Sequence, residues 1–229
     1  MTSDARARQE GLRTLGRCEA ILARHALSDH GELRRRLDAL RRLCERGRLV
    51  RVALVGRRGS GKSSLVNAVA GAPVAPVGDV SDATGSAARY VLDDADTGRA
   101  VEWIDTPGLR AGGRATRRDA VQAVLRETPC DVLLAPVTAT EVDAGIDEDL
   151  DDLRAILNAQ ERVWDYRPKV IAVVTRADDL APADVIDPPF DDEKRANIQL
   201  AVSVLHRHML RAGVTPVSVI PVVAVIEWE

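Results

Sequence analysis

The chain has 229 residues, of which 45% are hydrophobic and 29% charged, which fits one α/β domain with a short addition and excludes a disordered chain. Its 32 basic and 35 acidic residues give a formal net charge of −3, which argues against a generic nucleic-acid binder. The sequence has no apolar run of transmembrane length, no signal-peptide pattern, and 3 cysteines whose spacing suits neither a disulfide framework nor a zinc site. We therefore expect a soluble cytoplasmic protein.

Residues 1–48 are predicted to form two amphipathic helices, roughly 4–26 and 30–47, because leucine and isoleucine recur there at helical spacing. This segment holds 12 Arg, no Lys and 7 acidic residues, a local charge of +5. The arginines are interpreted as a solvated face, with an anionic partner as the alternative. The apolar faces of these two helices must be buried against another part of the protein or against a partner. We expect either a hairpin docked on the following domain or a surface for a helical partner or self-association.

From residue 49 onward, short β-branched runs alternate with helical patterns, which is typical of βαβ units and a mostly parallel sheet. An antiparallel edge strand is predicted at 89–92, and the acidic stretch 141–152 is interpreted as the solvated start of a helix. The predicted buried strands are 49–55, 101–104, 132–137, 169–175 and 217–225, and the predicted helices are 62–70, 115–126, 146–161 and 191–210.

The segment 56–63 reads G-R-R-G-S-G-K-S, directly after a predicted strand and at the start of a predicted helix, so it matches a phosphate-binding loop in the required context. Backbone N–H groups in such a loop point inward at phosphate oxygens, and the helix N-terminus adds its positive dipole end. Lys62 is expected to reach the β- and γ-phosphates, and the hydroxyl of Ser63 is expected to ligate Mg²⁺. The remaining predicted phosphate contacts come from Gly56, Arg58, Gly59, Ser60, Gly61 and Ser64.

Two further motifs follow predicted strands. Asp105-Thr-Pro-Gly108 places a carboxylate where a Mg²⁺-organising acid belongs and leaves the N–H of Gly108 to approach a γ-phosphate. Thr175-Arg176-Ala-Asp178 closes another strand. Asp178 there could accept hydrogen bonds from the N1–H and 2-amino groups of guanine, a paired donor that adenine lacks.

These motifs, in this order, resemble those of P-loop GTPases of the class that includes Era, the dynamins and the immunity-related GTPases. The stretch 56–71 is similar to the first motif of the Era-like and immunity-related members, including Asn67, Ala68 and Gly71. The resemblance covers roughly residues 49–226. It implies a three-layer P-loop NTPase fold, the G domain, with GTP or GDP as ligand and Mg²⁺ as cofactor.

Two site residues are implied by this resemblance alone. Thr84 would ligate Mg²⁺ and sense the γ-phosphate, with Ser81 and Ser86 as alternatives for that role. The backbone around Ala224 would contact the base.

The sequence departs from the family pattern at three positions. Arg176 replaces the usual lysine of the fourth motif, although its stem can still cover a base. Leu109 stands where many members have a glutamine that orients the attacking water, so we expect slow hydrolysis without help. Arg58 occupies a loop position that is usually small or polar. It is interpreted as solvated, with an arginine finger within the same chain as the alternative.

The sequence thus predicts N-terminal helices at 1–48 and a GTPase domain at 49–229. The favoured function is a Mg²⁺-dependent GTP-hydrolysing switch that is slow without a protein partner or a homodimer formed through the G domain or the N-terminal helices. The catalytic candidates are Lys62, Thr84, Gly108 and Arg58. One alternative is a nucleotide-dependent interaction module with little hydrolysis. The other is an ATPase or P-loop kinase, and the D-T-P-G motif argues against that function.

Overall fold

The structure is a computed structural model of the chain. It describes residues 3–24, 49–76, 87–94, 99–109, 114–143, 145–182 and 188–223, together with 31, 34, 37, 38, 40, 41 and 44.

A six-stranded sheet forms the centre of the molecule, with strand order β2-β3-β1-β4-β5-β6. All neighbouring strands are parallel except β2 and β3, which are antiparallel. The predicted mostly parallel sheet with an antiparallel edge strand is therefore confirmed. The strands are β1 (Val50–Leu54), β2 (Ala88–Asp94), β3 (Arg99–Asp105), β4 (Val132–Thr138), β5 (Lys169–Thr175) and β6 (Ser218–Pro221).

Helices cover both faces of this sheet, as the alternating strand and helix patterns predict. Side chains of successive β1 residues point to opposite faces, so Ala53 packs in one apolar cluster and Leu54 in another. The larger cluster joins the sheet to the last three of the described helices, and the smaller one joins it to the helix that follows the first strand. The helices are α1 (Ser3–Arg24), α2 (Lys62–Ala70), α3 (Arg114–Glu127), α4 (Asp147–Trp164) and α5 (Asp192–Arg211).

Residue types at the helix ends explain where the helices begin and end. Gly71 ends α2 in the left-handed conformation, with φ of 61°, which costs glycine little. The carboxylate of Asp191 caps α5 by accepting a hydrogen bond from the backbone N–H of Lys194 at 2.7 Å. The first turn of α4 carries Asp147, Glu148 and Asp149, which complement the positive end of the helix dipole.

Helix α1 lies against the segment predicted as a second helix. The seven described residues between 31 and 44 are all helical, and Arg41 donates to both carboxylate oxygens of Glu19 on α1. Leu15 and Leu37 are each 7% exposed, so part of both apolar stripes is buried. The boundary at residue 48 stays a prediction. No helix in the described ranges is both long and apolar enough to cross a bilayer.

Candidate nucleotide-binding site

The carboxyl ends of the parallel strands β1, β3 and β5 open onto one edge of the sheet, which is where ligands bind in folds of this type. The three predicted motifs follow these strands directly. The phosphate loop follows β1, the D-T-P-G segment follows β3, and the T-R-A-D segment begins at the last residue of β5. The topology therefore brings together three segments that are far apart in sequence.

The phosphate loop turns sharply into α2 at Gly61, which has φ of 86°. A non-glycine residue would be strained there, and a Cβ on Gly61 would also lie 3.4 Å from Cγ2 of Thr175. The Ser60 hydroxyl donates to the carbonyl of Arg57 at 2.9 Å, which closes the loop on itself. Gly59 and Arg58 form the exposed tip of the loop.

Lys62 begins α2 and is only 8% exposed. Its ammonium group lies inside the curve of the loop and donates to the carbonyls of Arg57 at 2.8 Å and Gly56 at 3.3 Å. These neutral acceptors hold the cation at the site where a phosphate group would bind. A triphosphate would offer it charged oxygens instead, which make stronger hydrogen bonds.

Ser63 and Asp105 meet at the predicted metal position. The Ser63 hydroxyl donates to Oδ2 of Asp105 at 2.7 Å, while Oδ1 of Asp105 is buried with no hydrogen-bond partner within the described structure. A buried carboxylate oxygen without a partner is costly, and a hard cation with oxygen ligands would satisfy it. The pair therefore fits Mg²⁺, which uses few protein ligands besides phosphates and water. The described residues contain no cluster of three or more acidic, histidine or cysteine side chains suited to a metal.

The same carboxylate affects the pKa of Tyr90 on β2. Burial raises the pKa of Tyr90 above its ordinary value of 10.0, and the negative charge of Asp105 raises that pKa further. The sequence analysis did not identify Tyr90. Tyr90 comes near Asp105 only because β2 pairs with β3, and no local motif in the sequence indicates that contact.

The D-T-P-G segment packs closely on the phosphate loop. A Cβ on Gly108 would lie only 2.7 Å from the backbone nitrogen of Arg58, so this contact requires glycine. The N–H of Leu109 donates to the carbonyl of Gly56 at 3.1 Å. The Leu109 side chain is 2% exposed and lines a mostly apolar cavity, which is bordered by Val55, Pro136, Val137, Ile146, Leu150 and Leu153 and also by Arg57, Ser60, Glu141 and Asp149. It therefore lies in the core beside α4 rather than at the surface of the loop.

The two arginines of the loop behave differently. Arg58 is exposed, and its role stays a prediction. Arg57, which the sequence analysis did not select, pairs with Asp149 at the start of α4 and lies 3.5 Å from Glu141.

The interpretation of 141–152 as the solvated start of a helix is therefore right about the helix, which begins at Asp147, and wrong in part about the solvation. Asp149 carries the Arg57 pair, and Asp152 is 3% exposed with Arg118 of α3 at 3.7 Å.

The T-R-A-D segment is tethered to the phosphate loop by Thr175. Its hydroxyl lies 3.0 Å from the carbonyl of Ser60, to which it can donate, and 3.3 Å from the carbonyl of Val137. Arg176 is exposed, in the left-handed conformation with φ of 54°, and pairs with Asp179 at 2.8 Å. Asp178 follows in a short 3₁₀ turn and is half-buried. Thr84, Ser81, Ser86 and Ala224 lie outside the described residues.

The comparison with family models matches residues 51–176 to the family described as 50S ribosome-binding GTPase. Among curated proteins, the chain is 35% identical over 133 residues to the tRNA modification GTPase MnmE of Xanthomonas euvesicatoria, a match that covers 55% of this chain and 29% of that protein. The MnmE of a Synechococcus strain is 32% identical over 167 residues, which cover 69% of this chain and 32% of the relative. The chain thus spans about a third of the length of these relatives.

Solved structures share the fold at lower identity. Era from Aquifex aeolicus, bound to GDP and AlF₄⁻, has a TM-score of 0.54 at 21% identity, over 77% of this chain and 51% of that one. Toc33 from Arabidopsis thaliana, in complex with Mg²⁺ and GMPPNP, has a TM-score of 0.54 at 18% identity, over 82% and 77%. The family match covers more than half of the chain and includes the phosphate loop, the D-T-P-G segment and the start of the T-R-A-D segment. The chain therefore belongs to this GTPase family and is a P-loop GTPase of the class that includes Era.

Proposed function

We propose that the chain is a Mg²⁺-dependent switch that binds GTP and hydrolyses it slowly to GDP and phosphate. The observation that carries this proposal is the arrangement at one edge of the sheet. Lys62 lies inside the phosphate loop, the Ser63–Asp105 pair has a carboxylate oxygen without a partner, and Asp178 lies on the neighbouring loop.

Phosphate binding in this proposal exchanges hydrogen bonds within the loop for hydrogen bonds to the ligand. The Lys62 ammonium leaves the carbonyls of Gly56 and Arg57 for the β- and γ-phosphate oxygens, and the loop N–H groups from Gly59 to Lys62 donate to the same phosphates. Ser63 and Asp105 would hold Mg²⁺, with Thr84 as the proposed third protein ligand. Bound Mg²⁺ supplies neutralisation of charge on the phosphate oxygens.

Base selection is assigned to the T-R-A-D segment. Asp178 accepts hydrogen bonds from the N1–H and 2-amino groups of guanine, the stem of Arg176 covers the base, and the backbone at Ala224 contacts its far side. The Thr175 tether to Ser60 fixes the distance between this segment and the phosphate loop. A base without the paired donors would leave the Asp178 carboxylate without its partners, which disfavours adenine.

Hydrolysis proceeds by direct attack of water, and the buried position of Leu109 is the reason that we expect it to be slow. An apolar side chain packed beside α4 cannot orient the attacking water. A partner, a second copy of the chain or Arg58 would complete the site. In the chloroplast translocon component Toc33, which shares this fold, dimerisation is important for GTPase activity, and this supports testing a homodimer here.

The second candidate is a nucleotide-dependent interaction module with little hydrolysis, and the same burial of Leu109 favours it. The two functions share the nucleotide site and differ in turnover. The ATPase or kinase alternative differs in base preference.

The test measures the affinities of the parent protein for GDP, GTP and ATP, with Lys62→Ala as the site variant and Lys169→Ala as the control. Lys169 is exposed at the start of β5, the end of that strand opposite to the site. We expect a clear preference for guanine nucleotides, a large loss of affinity in Lys62→Ala, and none in Lys169→Ala. A Lys62→Ala variant that binds GTP as well as the parent would refute the phosphate site, and an ATP preference would refute the GTPase assignment.

A further inference from the structure

Lys194 is a buried cation that the mechanism above does not use. It is 0% exposed, in a chain that has only 3 lysines against 29 arginines. It lies in the first turn of α5, where a positive charge faces the positive end of the helix dipole. Burial and the helix dipole both disfavour a positive charge here, so neighbouring polar groups must offset the free-energy cost of burying it.

Three backbone carbonyls provide that offset. The ammonium group donates to the carbonyl of Asp178 at 2.5 Å, to that of Pro182 at 2.8 Å, and to that of Leu180. The ring of Phe190 lies below it, with its centroid 5.9 Å from Nζ. Within the described part of the chain no carboxylate pairs with this lysine, so carbonyl dipoles alone satisfy it.

The shape of the ammonium group explains why a lysine occupies this position. Its three N–H donors radiate from one point and can reach three carbonyls that converge on it. The planar fork of an arginine directs its donors outward and is suited to carboxylates and phosphates. The segment 178–182 therefore wraps around Nζ, and one of its three contacts is the backbone of the residue assigned to read the base.

We propose that Lys194 is the positioning residue for Asp178 and thereby sets the selectivity for guanine. This inference rests on the proposed function, because it assumes that Asp178 reads the base. Lys194 holds the carbonyl of Asp178 and so fixes where its carboxylate points. Without the ammonium, three partly buried carbonyls lose their donor, and the segment must rearrange to bring them into contact with water.

A purely structural role for Lys194 would also make its replacement destabilising, so loss of stability cannot be the readout. The readout is the ratio of the affinities for GDP and IDP. IDP lacks the 2-amino group, so this ratio isolates the hydrogen bond that this group donates to Asp178.

The variant is Lys194→Met, which keeps an unbranched stem and removes the donors. Leu205→Ala is the destabilised control, because Leu205 is 0% exposed in the core on the same helix. We expect the parent to prefer GDP to IDP by roughly ten- to a hundredfold, the size of a hydrogen bond to a charged group. Lys194→Met should bring this ratio close to one, while Leu205→Ala lowers the melting temperature and keeps the ratio.

A second measurement needs no folded variant. The parent protein, labelled with ¹⁵N-lysine, gives signals from Lys62, Lys169 and Lys194, which act as internal controls for one another. We expect GDP to shift the Nζ signals of Lys62 and Lys194, pyrophosphate to shift that of Lys62 alone, and neither ligand to shift that of Lys169.

The possible outcomes distinguish a failure of the proposed function from a failure of the proposed role of Lys194. A parent protein with no GDP preference over IDP, or a Lys62 signal that responds to neither ligand, overturns the proposed function and this inference with it. A parent preference that Lys194→Met retains in full, or a Lys194 signal that GDP leaves unchanged, overturns only the inference.

Discussion

Asp105 joins the phosphate loop, the metal position and the antiparallel edge of the sheet. One of its oxygens accepts the Ser63 hydroxyl, and the other is buried without a partner among the described residues. The uncompensated charge also acts on Tyr90, whose pKa it raises together with burial. The charge of this carboxylate can therefore be examined through a neighbouring side chain, before any nucleotide is added.

The pKa of Tyr90 should fall when Asp105 is changed to Asn, because one of the two causes of its raised value is removed. The decrease should be partial, since burial is the larger cause. Absorbance titration of tyrosinate measures it, and Tyr166→Phe leaves Tyr90 as the only tyrosine of the 2 in the chain.

The same shift predicts the pH dependence of stability. The folded-state pKa of Tyr90 lies above the unfolded value of 10.0. The contribution of the neutral Tyr90 phenol to the free energy of unfolding is therefore complete below about pH 10 and is lost as the pH rises through the folded pKa.

A Tyr90 pKa that does not change in Asp105→Asn would contradict the electrostatic link between these two side chains.

At the scale of elements, the site depends on contacts between segments that lie far apart in sequence. Arg57 of the phosphate loop pairs with Asp149 at the start of α4, and Leu109 lines the cavity between β1, β4 and the same helix. Helix α4 thus packs against both the loop and the D-T-P-G segment. Its acidic first turn does more than complement the helix dipole.

Replacing Leu109 with the glutamine that many family members carry should not accelerate hydrolysis, because this side chain points into an apolar pocket. An amide buried in this mostly apolar surrounding should lower the free energy of unfolding by about 1–3 kcal/mol. Denaturant unfolding and phosphate release under single-turnover conditions measure the two effects. Leu109→Met is the control and should change either quantity little. A Leu109→Gln variant with the stability of the parent and faster hydrolysis would show that the side chain can reach the site.

At the scale of the whole molecule, the sequence predicted the sheet and its helices well, because buried parallel strands form apolar runs and the intervening helices have regular periodicity. The helix at 62–70 and the strand at 169–175 agree with the structure at both ends. The strand predicted at 217–225 is shorter, Ser218–Pro221 within the described residues.

The motifs define the proposed nucleotide site because each of them is local in sequence, and the fold brings them to one edge of the sheet. The Arg57–Asp149 pair and the Lys194 contacts could not be predicted, since each depends on how distant segments fold against one another. The same reason explains the error on the acidic stretch, where composition suggested solvent and the fold supplied arginines.

Turnover should depend on protein concentration if a second copy completes the site. We expect specific activity to rise across a hundredfold range of protein, because a group supplied in trans can raise the rate by about 10³–10⁵. Arg58→Ala tests the alternative, in which the exposed loop arginine acts within one chain and no concentration dependence occurs. Fast turnover that is independent of concentration and survives Arg58→Ala would contradict both routes and the claim that Leu109 leaves the site incomplete.

The central claim is that this chain binds guanine nucleotides through Asp178, and the most direct test is the binding of GTP and XTP to the parent and to Asp178→Asn. An amide at this position can donate to the carbonyl group that xanthine carries in place of the 2-amino group of guanine. The account predicts that the parent prefers GTP and that Asp178→Asn loses affinity for GTP and gains it for XTP. Undiminished GTP binding by Asp178→Asn, with no gain for XTP, would contradict the account.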